Sequence, residues 1–323
     1  MKVAEVESYV KAGEIAKEVK DFAQGIIKTG VKLIDVANKI DAKIVELGGE
    51  IAFPVNLSLN EIAAHFTPEP GDETVAEGIL KVDVGVCVDG YIADTAFSVD
   101  LSEDGEFGEM ISLNEKILSE ISGVIKPRVL VKDVGDVAQD VLEEWNSSRG
   151  NRKQVIGNRE GGKFAIIKSL SGHALGRNDI HAGLTISNYR NDNVTGLDGA
   201  FAIEPFVTTG VGDIYEGEAG GIYVLQNDKP VRDRDGREVL KFIKEKFVTR
   251  PFCLRFIMKA IGNRELEIGK DLSLNKLKFI LGGMVRDGIL HEYPLLIEKS
   301  RKPVSQFENT FLISGDRVVC TTG

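Results

Sequence analysis

Residues 81–98 read Lys81-Val82-Asp83-Val84-Gly85-Val86-Cys87-Val88-Asp89-Gly90-Tyr91-Ile92-Ala93-Asp94-Thr95-Ala96-Phe97-Ser98. Hydrophobic residues alternate with small or polar ones on both sides of Asp89-Gly90, a pair that favours a two-residue hairpin turn. With the turn there, Asp94 faces Gly85 and Asp83 faces Ala96. Side chains alternate along a strand, so positions 83, 85, 94 and 96 share one face. Asp83 and Asp94 become diagonal neighbours roughly 7–8 Å apart at the backbone. That spacing lets both reach a pair of metal ions about 3.5–4 Å apart. Gly85 and Ala96 leave the space between them open. The opposite face carries Val82, Val84, Val86 and Val88 with Ala93 and Phe97, which gives the hairpin a reason to be buried.

On the N-terminal side, apolar residues at helical spacing predict amphipathic helices over about 4–28 and 32–47, the second stopped by Gly48-Gly49. On the C-terminal side, helices are expected over about 107–122 and 132–148. The polar, basic stretch 147–163 (SSRGNRKQVIGNREGGK) reads as a long surface loop, with an RNA or ribosome contact as its alternative. A strand is expected from Phe164 to Leu170. Texture changes near residue 229, where three short helices over 234–248, 251–262 and 273–287 are rich in Lys, Arg, Leu and Ile. The pattern predicts a main domain from 1–228 and 291–323, with 229–290 inserted as a small helical subdomain. Strands return at Tyr293-Pro294-Leu295-Leu296-Ile297.

The bulk properties narrow the function classes. The chain has 323 residues, 42% hydrophobic and 28% charged, with 50 acidic against 40 basic residues and a net charge of −10. Such a balance argues against a chain dominated by nucleic-acid or membrane-surface binding. The cysteines, Cys87, Cys253 and Cys320, are far apart and include no CxxC pair, which speaks against a disulfide framework or structural zinc. The first residues lack the apolar core of a signal peptide, and no apolar run is long enough to span a bilayer, so a cytoplasmic location is expected.

Three further residues join the aspartates as metal-ligand candidates. His173 lies in Ser171-Gly172-His173, after the expected strand. Glu204 is the only charge in Ala200–Val207, and Glu308 stands alone in Gln306–Ile313. A carboxylate buried without a partner costs several kcal/mol, so each of these glutamates needs one. Four carboxylates and an imidazole suit two hard or borderline divalent cations and hence a metal-dependent hydrolase. His65 and His181 are flanked by small residues that would let a ligand approach.

Five stretches occur in order: AFPVNLSLNEIAAHFTP at 52–68, KVDVGVCVDGYIADTAF at 81–97, LSGHALGRNDIHAG at 170–183, FAIEPF at 201–206 and QFENT at 306–310. Together they resemble the methionyl aminopeptidases of type II, in their short archaeal form, over nearly the whole chain. The resemblance implies a pita-bread fold of class α/β (α+β), a curved antiparallel sheet with helices outside it and metals in its concavity. It makes the main domain, 1–228 and 291–323, catalytic and the insertion at 229–290 winged-helix-like. It implies removal of the N-terminal methionine from nascent proteins and peptides with a small second residue, by a hydroxide bridging two divalent ions (Co, Mn, Fe or Zn). Asp83, Asp94, His173, Glu204 and Glu308 fall on the ligand positions, with Asp94 and Glu308 as bridges and Glu204 also as general base. His65 and His181 fall on the substrate-contacting histidines, where both are expected to stabilise charge on the carbonyl oxygen. Phe53, Ile180 and Tyr293 fall on the methionine pocket. Nascent N-termini are the implied partners, with a transient ribosome contact, no membrane, no specific nucleic acid and a monomeric state. An X-prolyl peptidase and a catalytically silent binding module remain alternatives. The chain departs from the family at Asn309, where histidine is usual, in the length of 147–163, and at Gly176-Arg177-Asn178. The Asn309 change is expected to alter hydrogen bonding rather than abolish metal binding.

Overall fold

The computed structural model describes residues 1–150, 163–266 and 273–323. The chain begins with α1 (Val3–Ile26) and α2 (Leu33–Glu46), followed by β1 (Glu50–Leu59), β2 (Ile62–Ala64), β3 (Ile79–Val88) and β4 (Tyr91–Asp100). After α3 (Gly108–Val124) and α4 (Val131–Gly150) come β5 (Ala165–Ile166), β6 (Gly172–Leu175), β7 (Thr185–Ile186), β8 (Gly199–Ile203), β9 (Phe206–Thr208) and β10 (Ile214–Leu225). Next are α5 (Arg234–Lys246), β11 (Phe252–Cys253), α6 (Leu254–Gly262) and α7 (Leu274–Arg286). The chain closes with β12 (Leu290–Glu298), β13 (Val304–Gln306), β14 (Asn309–Ser314) and β15 (Arg317–Cys320).

All paired strands run antiparallel, in the orders β1-β3-β4, β11-β10-β12-β2, β13-β9-β5 and β15-β14-β8-β6-β7. The β3–β4 hairpin has the expected register, with Gly85 opposite Asp94 and Asp83 opposite Ala96. Asp89 and Gly90 both take positive φ, +54° and +89°, as a type I′ turn requires. A backbone bridge between Ala96 and Glu308 joins this hairpin to the strand group that carries β14, β8 and β6. The sheet is curled and helix-covered, the pita-bread architecture.

Two cores back the sheet. Val19 of α1 and Leu33, Ile40 and Ile44 of α2 bury against Val82, Val84, Val86 and Phe97. Leu113 and Ile117 of α3 and Val134 and Ala138 of α4 bury against Phe201, Ile203, Phe311 and Ile313. Each such Val, Leu, Ile or Phe side chain contributes about 1.5–3 kcal/mol on burial. Phe307 packs against both cores, so the residue before Glu308 is held from two sides. A third cluster, with Val239, Ile243, Ile257, Leu277 and Leu281, belongs to α5–α7 and is shared with Tyr223 and Leu290. Asp233 and Ser273 cap α5 and α7 by accepting from the N–H groups of Gly236 and Lys276.

Several local expectations are corrected. Phe164–Leu170 forms a strand only at Ala165–Ile166, because its partner β9 has three residues and already pairs with β13 on its other edge. The helix expected from 251 starts at Leu254, since Phe252 and Cys253 pair with Tyr223 and Ile222. The loop expected from 147 begins later, as α4 runs to Gly150; residues 151–162 lie outside the described residues. The space beside Gly85 is not open. A Cβ there would sit 2.1 Å from the Phe53 ring, so the glycine makes room for an aromatic side chain. No described helix is long and apolar enough to cross a membrane.

Candidate metal centre

Asp83 and Asp94 project from β3 and β4, Glu308 immediately precedes β14, Glu204 immediately follows β8, and His173 lies on β6. Register brings them together. Glu308 bonds to Ala96 across the bridge, Ala96 pairs with Asp83, and Ala202, two residues before Glu204, pairs with His173. Ligand atoms of Asp94, His173 and Glu308 lie within 4.8 Å of one another. His173 Nε2 is 3.8 Å from Asp94 Oδ2 and 3.5 Å from Glu204 Oε1. Gln306 Nε2 ties in Asp83, donating to its Oδ2 at 3.4 Å and to Glu308 Oε2 at 3.3 Å. All five residues therefore converge.

The electrostatics of this cluster are unbalanced. Among the described residues no lysine or arginine pairs with any of the four carboxylates. Burial pushes the Asp83 carboxyl up to about 7, against the pull of the Gln306 hydrogen bond. Asp94, Glu204 and Glu308 are pushed well above the carboxylate range, first by burial and then by one another. Asp83 Oδ1, Asp94 Oδ1 and Glu308 Oε1 are buried without a hydrogen-bond partner. Burial lowers His173 to about 3, which keeps its imidazole neutral and able to ligate. Crowded carboxylates, orphaned oxygens and a neutral imidazole fit divalent cations and suit little else.

The other two histidines border the same region. His181 is exposed, with its ring 4.6 Å from that of His173, and burial of its ring environment lowers its pKa. His65 follows β2 with φ +70°, held by its N–H donating to Asn56 Oδ1 at 2.8 Å. Burial lowers His65 to about 4. Its Nδ1 lies 3.1 Å from the Pro294 carbonyl. A carbonyl only accepts, so Nδ1 carries the proton and Nε2 is left as an acceptor. Gly220 backs this loop, where a Cβ would come 2.0 Å from the His65 carbonyl oxygen. Tyr293 packs edge-on against His65 at 5.2 Å and against His291 at 5.0 Å. Phe53 and Ile180 belong to one apolar cluster with Leu175, Ala202 and Leu312.

The turn Gly176-Arg177-Asn178 latches onto the β3–β4 hairpin. Asn178 N–H donates to the Gly90 carbonyl at 2.7 Å, Arg177 Nε donates to the Asp89 carbonyl at 3.3 Å, and the guanidinium lies over Tyr91. Thr249, at the end of the α5 region, donates to the Asn178 carbonyl.

Sequence reasoning missed two contributors. Gln306 bridges two of the carboxylates, and the Thr310 hydroxyl brackets the Asp94 backbone, accepting from its N–H at 2.7 Å and donating to its carbonyl at 2.8 Å. Their spacing from Glu308, two residues on either side, is the signal that could have found them.

Comparison with known proteins agrees with this geometry. Residues 7–236 match metallopeptidase family M24. A methionine aminopeptidase of Pyrococcus horikoshii is 39% identical over 98% of this chain and 99% of its own. That of Methanocaldococcus jannaschii is 34% identical over 100% of both. The chain belongs to the methionine aminopeptidases of metallopeptidase family M24. This membership makes it a metal-using hydrolase. Among solved structures, a thermophilic Arx1 superposes with a TM-score of 0.74 at 16% identity, covering 100% of this chain and 92% of that one. Methionine aminopeptidase from Rickettsia prowazekii gives 0.64 at 17% identity, covering 100% and 98%. At such identities these two structures speak to the fold, which this methionine aminopeptidase family member shares.

Proposed function

We propose that this chain removes the N-terminal methionine from nascent proteins and peptides whose second residue is small. Asp83, Asp94, His173, Glu204 and Glu308 would hold two divalent cations drawn from Mn, Fe, Co and Zn. The observation that carries this is the convergence on a neutral His173 of four carboxylates, Asp94 and Glu308 buried and Asp83 and Glu204 half-buried, with no lysine or arginine paired to them among the described residues. When bound, the cations supply the Lewis acidity that makes water nucleophilic near neutral pH.

Glu204, whose carboxyl is raised by burial and its neighbours, accepts the proton of the attacking water and returns one to the leaving amine. His181, neutral and reachable from solvent, donates an N–H toward the carbonyl oxygen, where charge develops. His65 takes a different part from the one expected of it. With its proton committed to Pro294, it offers Nε2 as an acceptor for the substrate's amide N–H instead of joining His181 at the carbonyl. Phe53 and Ile180, which share one apolar cluster, and Tyr293, which packs on His65, would line the pocket for a thioether.

Residues 229–290 are taken as a helical insertion between two parts of one catalytic domain, 1–228 and 291–323, supported by the cluster that α5–α7 build among themselves and join to β10 through Tyr223. The same proposal places the protein in the cytoplasm as a monomer, meeting chains as they leave the ribosome. Metal-free protein supplied with Co²⁺ or Mn²⁺ should release methionine from Met-Ala-Ser and leave an Ala-Pro dipeptide intact. Absence of methionine release with every metal would sink the proposal.

A further inference from the structure

Behind the carboxylates, their strands are tied to the segment Thr321–Thr322. Thr322, Thr310 and Thr95 are fully buried. The Thr322 hydroxyl accepts from the Thr310 N–H at 2.9 Å and donates to Asn309 Oδ1 at 3.1 Å. Thr310 in turn brackets the Asp94 backbone with its own hydroxyl, as described above. From the other side, the Thr95 hydroxyl donates to the Glu308 carbonyl at 2.9 Å. The two residues expected to bridge the cations are thus gripped at their backbones by buried hydroxyl groups. None of the three buried hydroxyls is left without a partner, which favours a rigid network.

The segment is fixed in turn. Thr321 N–H donates to the Thr310 carbonyl at 2.9 Å. Helix α1 presses on it: a Cβ at Gly13 would stand 2.3 Å from the Thr321 carbonyl oxygen, so only glycine permits this approach. Lys20 Nζ donates to the Thr322 carbonyl at 2.9 Å and reaches Thr95 Oγ1 at 3.4 Å. A continuous path therefore runs from α1 through Thr322 to both bridging positions.

We propose that Thr322 is a positioning residue of the metal centre, holding Asp94 and Glu308 in mutual register through Thr310 and Asn309. This rests on the metal-centre assignment made under the proposed function. It also gives Asn309 a task that needs its side-chain carbonyl, which accepts the Thr322 proton at a position where the resembled family usually has histidine. A ligand set tolerates displacements of only about 0.5 Å. Without the Thr322 hydroxyl, the Thr310 N–H is left buried without an acceptor, and β14 must shift to find one.

The test is titration of metal-free protein with Co²⁺, followed by the visible absorption of the bound ion. Thr322→Val should raise the Co²⁺ dissociation constant about tenfold or more, the usual effect of losing a residue that orients a ligand. Thr322→Ser, which keeps the hydroxyl, should bind like wild type. Asn309→Ala, which removes only the acceptor of the Thr322 proton, should weaken binding less than Thr322→Val. A Thr322→Val protein that melts at a lower temperature yet binds Co²⁺ with wild-type affinity and spectrum would show a merely structural role and overturn the inference. Should Thr322→Val fail to fold, Asn309→Ala decides, and wild-type affinity in that variant overturns it equally. Wild-type protein that bound no Co²⁺ would refute the metal-centre assignment itself, before any variant is compared.

Discussion

Asp41 and, at the candidate metal centre, Asp94 and Glu308 are all buried, and the fold treats the two places in opposite ways. Asp41 of α2 meets Arg255 of α6 at 3.0 Å, with both side chains buried. Burial pushes the Asp41 carboxyl up, and the Arg255 guanidinium pulls it back. Arg255 also donates to Thr67 Oγ1 at 2.8 Å and to the Pro68 carbonyl at 2.6 Å, so one guanidinium joins α6 to the segment that follows His65. At the metal centre, burial acts on four carboxylates and their neighbours add to it, because those neighbours are carboxylates too. A buried acid supplied with its own cation is a joint. A cluster of them without one carries like charges that only a cation from outside the chain could balance.

The largest effect should come from removing the neutral ligand of the unbalanced cluster. His173→Ala is expected to lower kcat/KM for Met-Ala-Ser by at least about a thousandfold, roughly 4 kcal/mol of transition-state stabilisation. Its circular dichroism and melting should remain close to wild type. Full activity would mean that the cluster is not the active centre.

Breaking the balanced pair should instead damage stability. Arg255→Met leaves Asp41 buried and alone, and should cost about 3–5 kcal/mol in denaturant unfolding. Combining it with Asp41→Leu should restore most of that loss. If the single change cost nothing, the pair would not be the joint described.

The comparison sharpens further in metal-free protein. Asp94→Asn removes one of the mutually repelling carboxylates and should stabilise the chelated protein by about 1–2 kcal/mol. Asp41→Asn should destabilise it. Melting in excess EDTA reads both, and the opposite signs are the point at issue.

The smallest effect is expected at the latch between the two histidines. Arg177 is exposed, and its stacking on Tyr91 contributes at most about 1 kcal/mol. Arg177→Ala should raise KM for the tripeptide a few-fold and leave Co²⁺ affinity unchanged. A loss of metal binding would show that the turn supports the cations rather than the substrate side.

Much of the fold was legible because it is written in local periodicity. The Asp89-Gly90 turn sets its own register through two positive φ angles that few other pairs adopt. Helical stripes gave α1 to α4 to within a few residues. Where reading failed, a distant partner decided. Phe53 closes the space beside Gly85 from another strand. Phe252 and Cys253 extend because β10 lies beside them, and the expected strand at 164–170 stops where β9 runs out. In the site, Asp83, Asp94, Glu204 and Glu308 stood out as isolated charges in apolar stretches. Gln306 carries no charge, and Thr310 acts through a hydroxyl, so neither stands out from its local pattern.

By itself the sequence determined the hairpin, the amphipathic helices and the carboxylates that stand isolated in apolar stretches. Each follows from neighbours a few residues away, through backbone sterics, helical period or the cost of a lone buried charge. Only the tertiary structure decided which proton His65 carries, what fills the space at Gly85, and that Thr322 stands behind Asp94 and Glu308. Those depend on hydrogen bonds and contacts between segments up to hundreds of residues apart, whose partners no local pattern encodes.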